Sequence, residues 1–153
     1  PKLSGVVAAR AAAAARMDEL LADVPGVEVP QREPHDVHVY WKYAVRVDPA
    51  VIPGGPAALA KALKEVNIAS APRYIQKPAF RCQVFRDQKT LGTSRWPFTL
   101  ARPAAVDYGA ERFPGTFEYL DRVLVLPWNE KYTADHLNYL AAAIHHAAKR
   151  LAA

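Results

Sequence analysis

The chain carries a single cysteine, Cys82, so no internal disulfide can staple it, and this usage fits a reducing compartment. It has no apolar run approaching the roughly 20 residues that a membrane-spanning helix needs, which removes the membrane as a partner. A secretory signal is missing too. Lys2 leads into an alanine run that Arg10 and Arg16 interrupt, and no small-residue cleavage pattern follows. These absences lead to the expectation of a cytoplasmic domain.

Several chemistries are excluded in the same way. Pro53-Gly54-Gly55-Pro56 is not followed by Gly-Lys-Ser/Thr, so it is a turn and not a phosphate loop. There is no Gly-x-Ser-x-Gly elbow for a nucleophilic serine, and Cys82 has no histidine near it in sequence. His35 and His38 lie three apart beside a strand and fall on opposite faces. His145 and His146 are neighbours on a helix and diverge. No metal site is expected. Internal repeats are absent, and the alanine run is the only low-complexity tract.

What is present is 153 residues, 51% of them apolar, enough for one domain with its own core. The chain opens at Pro1 and runs almost at once into a helix, which leads to the expectation of a cut within a longer protein. Its net charge of +5 is local. Between Arg73 and Arg95 stand Arg73, Lys77, Arg81, Arg86, Lys89 and Arg95 against Asp87 alone. The same stretch carries Tyr74, Phe80 and Phe85. Such a segment can bind a phosphate or carboxylate, by an arginine fork or a lysine point charge, or it can be a solvated surface loop. Nucleic acid is the weakest reading, because the rest of the chain is neutral and no recognition motif appears.

Periodicity predicts a helix from about Leu3 to Val24, ended by Pro25-Gly26. Val37 to Val47 reads as a strand, with Val37, Val39, Trp41, Tyr43, Val45 and Val47 on one face and His38, Tyr40, Lys42, Ala44 and Arg46 on the other. A helix follows Pro56, with Leu59, Ala62, Leu63 and Val66 buried and Asn67 as its left-handed terminator. Ala69 to Ala105 has little periodicity and is expected to be an ordered functional excursion. A short helix spans Pro114 to Leu120. Arg122 to Leu126 is a buried strand, and Thr133 caps a last helix with a stripe from Leu137 to Leu151. The expected class is α+β: a small, mostly antiparallel sheet covered by helices on one side, with a long ordered loop.

These motifs, in this order, resemble the C-terminal small domain of the DegT/DnrJ/StrS sugar aminotransferases, which have the aspartate-aminotransferase fold. The resemblance runs from about Leu3 to Leu151. Ala9-Arg10 and Leu20-Leu21 look like the family's long helix leading into its small domain. His38-Val39-Tyr40-Trp41-Lys42-Tyr43, with Arg46 beyond, is similar to its aromatic strand. Leu59 to Asn67-Ile68 resembles its leucine helix, with Asn in place of Gly. Leu126-Pro127 and Thr133 match its Leu-Pro and capped final helix. Arg73-Tyr74 falls where the family has His-Tyr at the start of its substrate loop, and Lys77-Pro78 where it has a later histidine.

The resemblance implies pyridoxal phosphate (PLP) held on a lysine of a large N-terminal domain, an amino group passed from glutamate or glutamine to a keto-sugar or keto-cyclitol, and a homodimer. It implies residues 1–24 as a linking helix and 25–153 as the small domain, with Arg73, Tyr74 and Lys77 contacting substrate. The family's Ser-x-x-Lys motif is found around none of the lysines, so neither the cofactor nor a catalytic residue is expected in this chain. The competing expectation is a free-standing α+β domain that binds an anion through its basic aromatic loop. An acyl- or phosphoryl-transfer enzyme would need residues that the chain lacks.

Overall fold

A computed structural model describes residues 2–152; positions 1 and 153, which the expected spans include, lie outside the described residues. In chain order the elements are α1 (Leu3–Leu21), β1 (Val27–Glu28), β2 (Lys42–Val47), α2 (Gly55–Glu65), β3 (Ala71–Pro72), α3 (Gln83–Arg86), α4 (Pro114–Arg122), β4 (Val123–Pro127) and α5 (Ala134–Ala152). The chain divides into a sheet unit, made of the residues up to Tyr74 and from Asp121 onward, and an inserted unit, Ile75–Leu120.

In the sheet unit the strand order is β1-β2-β4-β3, and each pairing is antiparallel. The register sets Tyr43 opposite Leu126 and Val45 opposite Leu124. These four, with Val47, point into one core shared with Met17 and Leu21 of α1, Leu59 and Leu63 of α2, and Ile144 of α5. Helices therefore cover one face of the sheet. The alanines of α1 work as slim spacers: Ala13 and Ala14 are buried, and α1 packs on α5.

The ends of these helices follow their sequences. Gly26 has φ +76°, and a Cβ there would lie 2.8 Å from Cβ of Val51, so only glycine fits where the chain leaves α1 for β1. At the end of α2, Asn67 takes φ +60°. Its N–H donates to the Lys64 carbonyl, and the Ile68 N–H donates to the Leu63 carbonyl, which together form a Schellman motif. Thr133 Oγ1 accepts the His136 N–H, while His136 Nδ1 accepts the Thr133 N–H. This is a capping box with histidine in the place usually held by Glu or Gln.

One element departs from expectation. The strand begins at Lys42 and not at Val37. Tyr40 adopts φ +46°, its N–H donates to His38 Nδ1, and its ring turns into the core. The alternation is thereby broken, leaving Val37 86%, Val39 52% and Trp41 64% exposed. The physical reason is pairing: β4 ends opposite Lys42 and β1 opposite Arg46 and Val47, so neither reaches residues 37–41.

The inserted unit holds two aromatic groups in place of a sheet. Phe80 stacks on Phe113 at 4.3 Å between centroids and meets Phe117 edge-on. Phe85 meets Phe98 and Tyr108 edge-on. Short 3-10 turns and α3 fill a stretch expected to lack regular structure. The spacing of such turns gives no periodic signal in sequence.

Candidate substrate-binding site

The sheet face without helices carries the polar side of β2. Along β2, Lys42, Ala44 and Arg46 are half-buried and alternate with the core residues Tyr43, Val45 and Val47. The start of this strand is held firmly. Tyr43 Oη donates to Asp18 Oδ1 at 2.6 Å, and Arg32 pairs with the same carboxylate. The Tyr43 ring stacks on Trp128 at 4.8 Å, and Trp128 Nε1 donates to the Arg10 carbonyl. Burial, and then the hydrogen bond to Asp18, push the Tyr43 phenol far above its usual range. It stays a neutral donor, a structural group behind the site.

Arg73 follows the last residue of β3. Its N–H donates to the Val123 carbonyl at 2.9 Å, and its φ of +48° then turns the chain. Non-glycine residues adopt this left-handed region at a cost of order 1 kcal/mol, and such strain gathers at functional positions. The turn sets Tyr74 against Trp41, ring edge to face, with centroids 6.1 Å apart. Lys42 Nζ lies 5.2 Å from the Trp41 centroid and 5.8 Å from that of Tyr74. Arg73 Nη1 is 3.2 Å from Asp121 Oδ1, with both side chains well exposed. A pair like this contributes at most about 1 kcal/mol.

Two of the three expected substrate residues, Arg73 and Tyr74, therefore share the sheet unit with Trp41, Lys42 and Asp121. Lys77 belongs to the inserted unit and is exposed there. Trp41 and Lys42 were visible in sequence as part of an aromatic strand, but alternation placed Trp41 on the core face and gave Lys42 no role. Only the break at Tyr40 brings Trp41 out beside Tyr74, while Lys42 stays on the outer face that alternation gave it.

The basic segment is divided between the units, and much of it is engaged. In the inserted unit Arg86 pairs with Asp87, Arg95 donates to Gln88, and the Arg81 guanidinium lies 5.5 Å from the Phe117 centroid. The hydrogen bond from Arg86, helped by Lys89 and Lys77, holds the Asp87 carboxyl below the usual range.

A lysine that carries PLP as a Schiff base has to be desolvated or placed beside another cation. Of the eight lysines, only Lys42 is even half-buried; the other seven are exposed, and none stands in a Ser-x-x-Lys sequence. These residues do not suit the cofactor. Among the described residues no group of His, Cys, Asp and Glu is placed to hold a metal, and no helix is long and apolar enough to cross a membrane.

Residues 1–145 match the DegT/DnrJ/EryC1/StrS aminotransferase family. The chain belongs to this family. Solved structures of similar fold include the aminotransferase TlmJ of Streptoalloteichus hindustanus, 18% identical with a TM-score of 0.68, where the match covers 99% of this chain and 34% of that one. The sugar aminotransferase CalS13 of Micromonospora echinospora is 19% identical with a TM-score of 0.61, covering 92% and 30%. DesV of S. venezuelae, solved in complex with a ketimine intermediate, is 18% identical with a TM-score of 0.70, covering 97% and 33%. This DegT-family chain spans about a third of the length of each. No curated protein matches it.

Proposed function

We propose that this chain is the C-terminal small domain of a PLP-dependent sugar aminotransferase, with residues 1–24 as the linking helix and 25–153 as the domain proper. A preceding large domain holds the cofactor. The complete protein, a homodimer, passes an amino group from glutamate or glutamine to a keto-sugar or keto-cyclitol. One observation carries this reading: the family match extends over residues 1–145, whereas the chain spans only about a third of the solved aminotransferases. The contribution of this chain is one wall of the substrate site. Arg73 offers a planar fork to a carboxylate or phosphate, and Tyr74 offers a hydroxyl. Lys77, in the other unit, supplies a charge that its own substitution tests.

The test compares two proteins. Joined to the coding sequence upstream of it, the chain should bind PLP and catalyse amino transfer to keto-sugars. Alone, incubated with PLP and reduced with borohydride, it should give no single stoichiometric lysine adduct by mass spectrometry. A specific adduct on one lysine of the 153-residue chain, or an upstream region with no lysine-bearing α/β domain, overturns the reading.

A further inference from the structure

A cleft of about 390 Å³ opens where the end of α2, the end of β4 and the first turns of α5 meet. Its depth is apolar: Leu126 and Leu140, which line it, are 1% and 8% exposed. Three rings stand around them, Tyr132, His136 and Tyr139, and each is pinned by its polar end. Tyr132 Oη donates to the Pro127 carbonyl at 3.1 Å, and Tyr139 Oη to the Val66 carbonyl at 3.0 Å. Both hydroxyl protons are thus engaged by the chain itself, and the tyrosines offer the cleft their ring carbons. The Thr133 N–H donates to His136 Nδ1, which makes Nδ1 an acceptor and places the proton of the neutral ring on Nε2. Among the described residues, this Nε2 has no partner. None of the side chains lining the cleft is an acid, a lysine or an arginine. An aromatic-walled cleft of this size with one directed polar group has the make-up of a small-molecule site. Walls already fixed lose little further entropy on binding.

We propose that this cleft binds a small, uncharged heteroaromatic ring that carries a hydrogen-bond acceptor on its edge. The ring packs on Leu126 and Leu140 and against the two tyrosines, offset or edge to face, and its acceptor takes the His136 Nε2–H. A charged ligand is disfavoured, because an ion covered by these walls finds no counter-charge. A ring without an acceptor would cover the Nε2–H and leave it unpaired. The Thr133–His136 box therefore does two things: it caps α5, and it fixes the tautomer that supplies the donor. Nothing in this chemistry depends on amino transfer.

The probes are quinoline, which has a ring-nitrogen acceptor, indole, which has a donor and no such acceptor, and 2-naphthoate, which adds a charge. Each is titrated into the 153-residue chain and followed by NMR of the His136 and Tyr139 ring signals. Quinoline should shift both saturably at millimolar concentration or below, and should raise the melting temperature. Indole and 2-naphthoate should bind at least about fivefold more weakly. His136→Glu supplies a residue that usually closes a capping box, so it should keep the fold while lowering quinoline affinity at least about tenfold, or roughly 1.4 kcal/mol. Ala69 is exposed at the edge of the cleft, and Ala69→Phe should block binding with the melting temperature of the free chain almost unchanged. No saturable shift, indole or 2-naphthoate bound as tightly as quinoline, or normal quinoline binding by either folded variant each overturns the site. A ring proton found on His136 Nδ1 by nitrogen correlation spectra overturns it as well.

Discussion

At the scale of single residues, Arg73 is the sharpest case. Its partner is the exposed Asp121, so the pair contributes little stability. Its left-handed backbone and its place beside Tyr74 nevertheless suit a residue held for contact with a ligand. In the complete enzyme, Arg73→Lys should lower kcat/KM at least about tenfold, or roughly 1.4 kcal/mol, if the guanidinium fork grips substrate, with the melting temperature almost unchanged. Intact turnover together with a lower melting temperature would make Arg73 structural. Tyr43 shows the opposite balance, being buried and donating to Asp18 at 2.6 Å. Tyr43→Phe should cost on the order of 1.5–3 kcal/mol in urea unfolding, as expected for a hydrogen bond to a charged group, and leave turnover intact once folded. Sequence alternation correctly placed Tyr43 in the core. It could not show that Asp18, 25 residues earlier, supplies the acceptor.

At the scale of elements, caps and clasps do much of the local work. The Thr133–His136 box sets the start of α5, which carries Ile144 and much of the core. Thr133→Ala should destabilise the chain by about 1 kcal/mol, measured by chemical denaturation. A second clasp joins α1 to the segment after β4, where Arg10 Nε and Nη2 donate to Glu130 Oε2 at 3.1 and 2.9 Å. The backbone N–H of Glu130 itself, and then Arg10, hold this carboxyl below its ordinary value of 4.5. A carboxyl whose folded pKa is depressed contributes stability that is present above the unfolded value and lost as pH falls through the folded one. The melting temperature of Glu130→Gln should therefore lie below that of the parent at neutral pH, and the gap should close as pH is lowered from about 4.5. A gap that stays constant down to strong acid would show that the clasp contributes no charge-dependent stability. Helix ends were readable from local residues such as Thr133, Asn67 and Gly26, because a cap is a contact within a few positions. The Arg10–Glu130 clasp was not, since its partners are 120 residues apart.

At the scale of the molecule, the exposed apolar side chains suit a chain built to be covered. Leu3, Val37, Val39 and Trp41 lie 75%, 86%, 52% and 64% exposed, and Ala8, Ala9, Ala12 and Ala15 line the open side of α1. If a large domain or a second subunit normally packs there, the separate chain should self-associate or bind a hydrophobic dye. Monomeric behaviour at high concentration with no dye binding would count against that cover. The sequence by itself determined the long helices, the buried strand before the last helix, the α+β class and the family, because hydrophobic period, helix-capping residues and the order of motifs are all local properties of the chain. It placed Arg73 and Tyr74 together for the same reason: they are adjacent. Only the tertiary structure decided which faces those elements present. β2 starts at Lys42 because β4 ends opposite it and β1 stops opposite Arg46, and the left-handed Tyr40 turns Trp41 outward. A residue on β2 then meets a tyrosine beyond β3. Pairing partners and the direction of a turn depend on contacts between distant segments, and no window along the chain contains them.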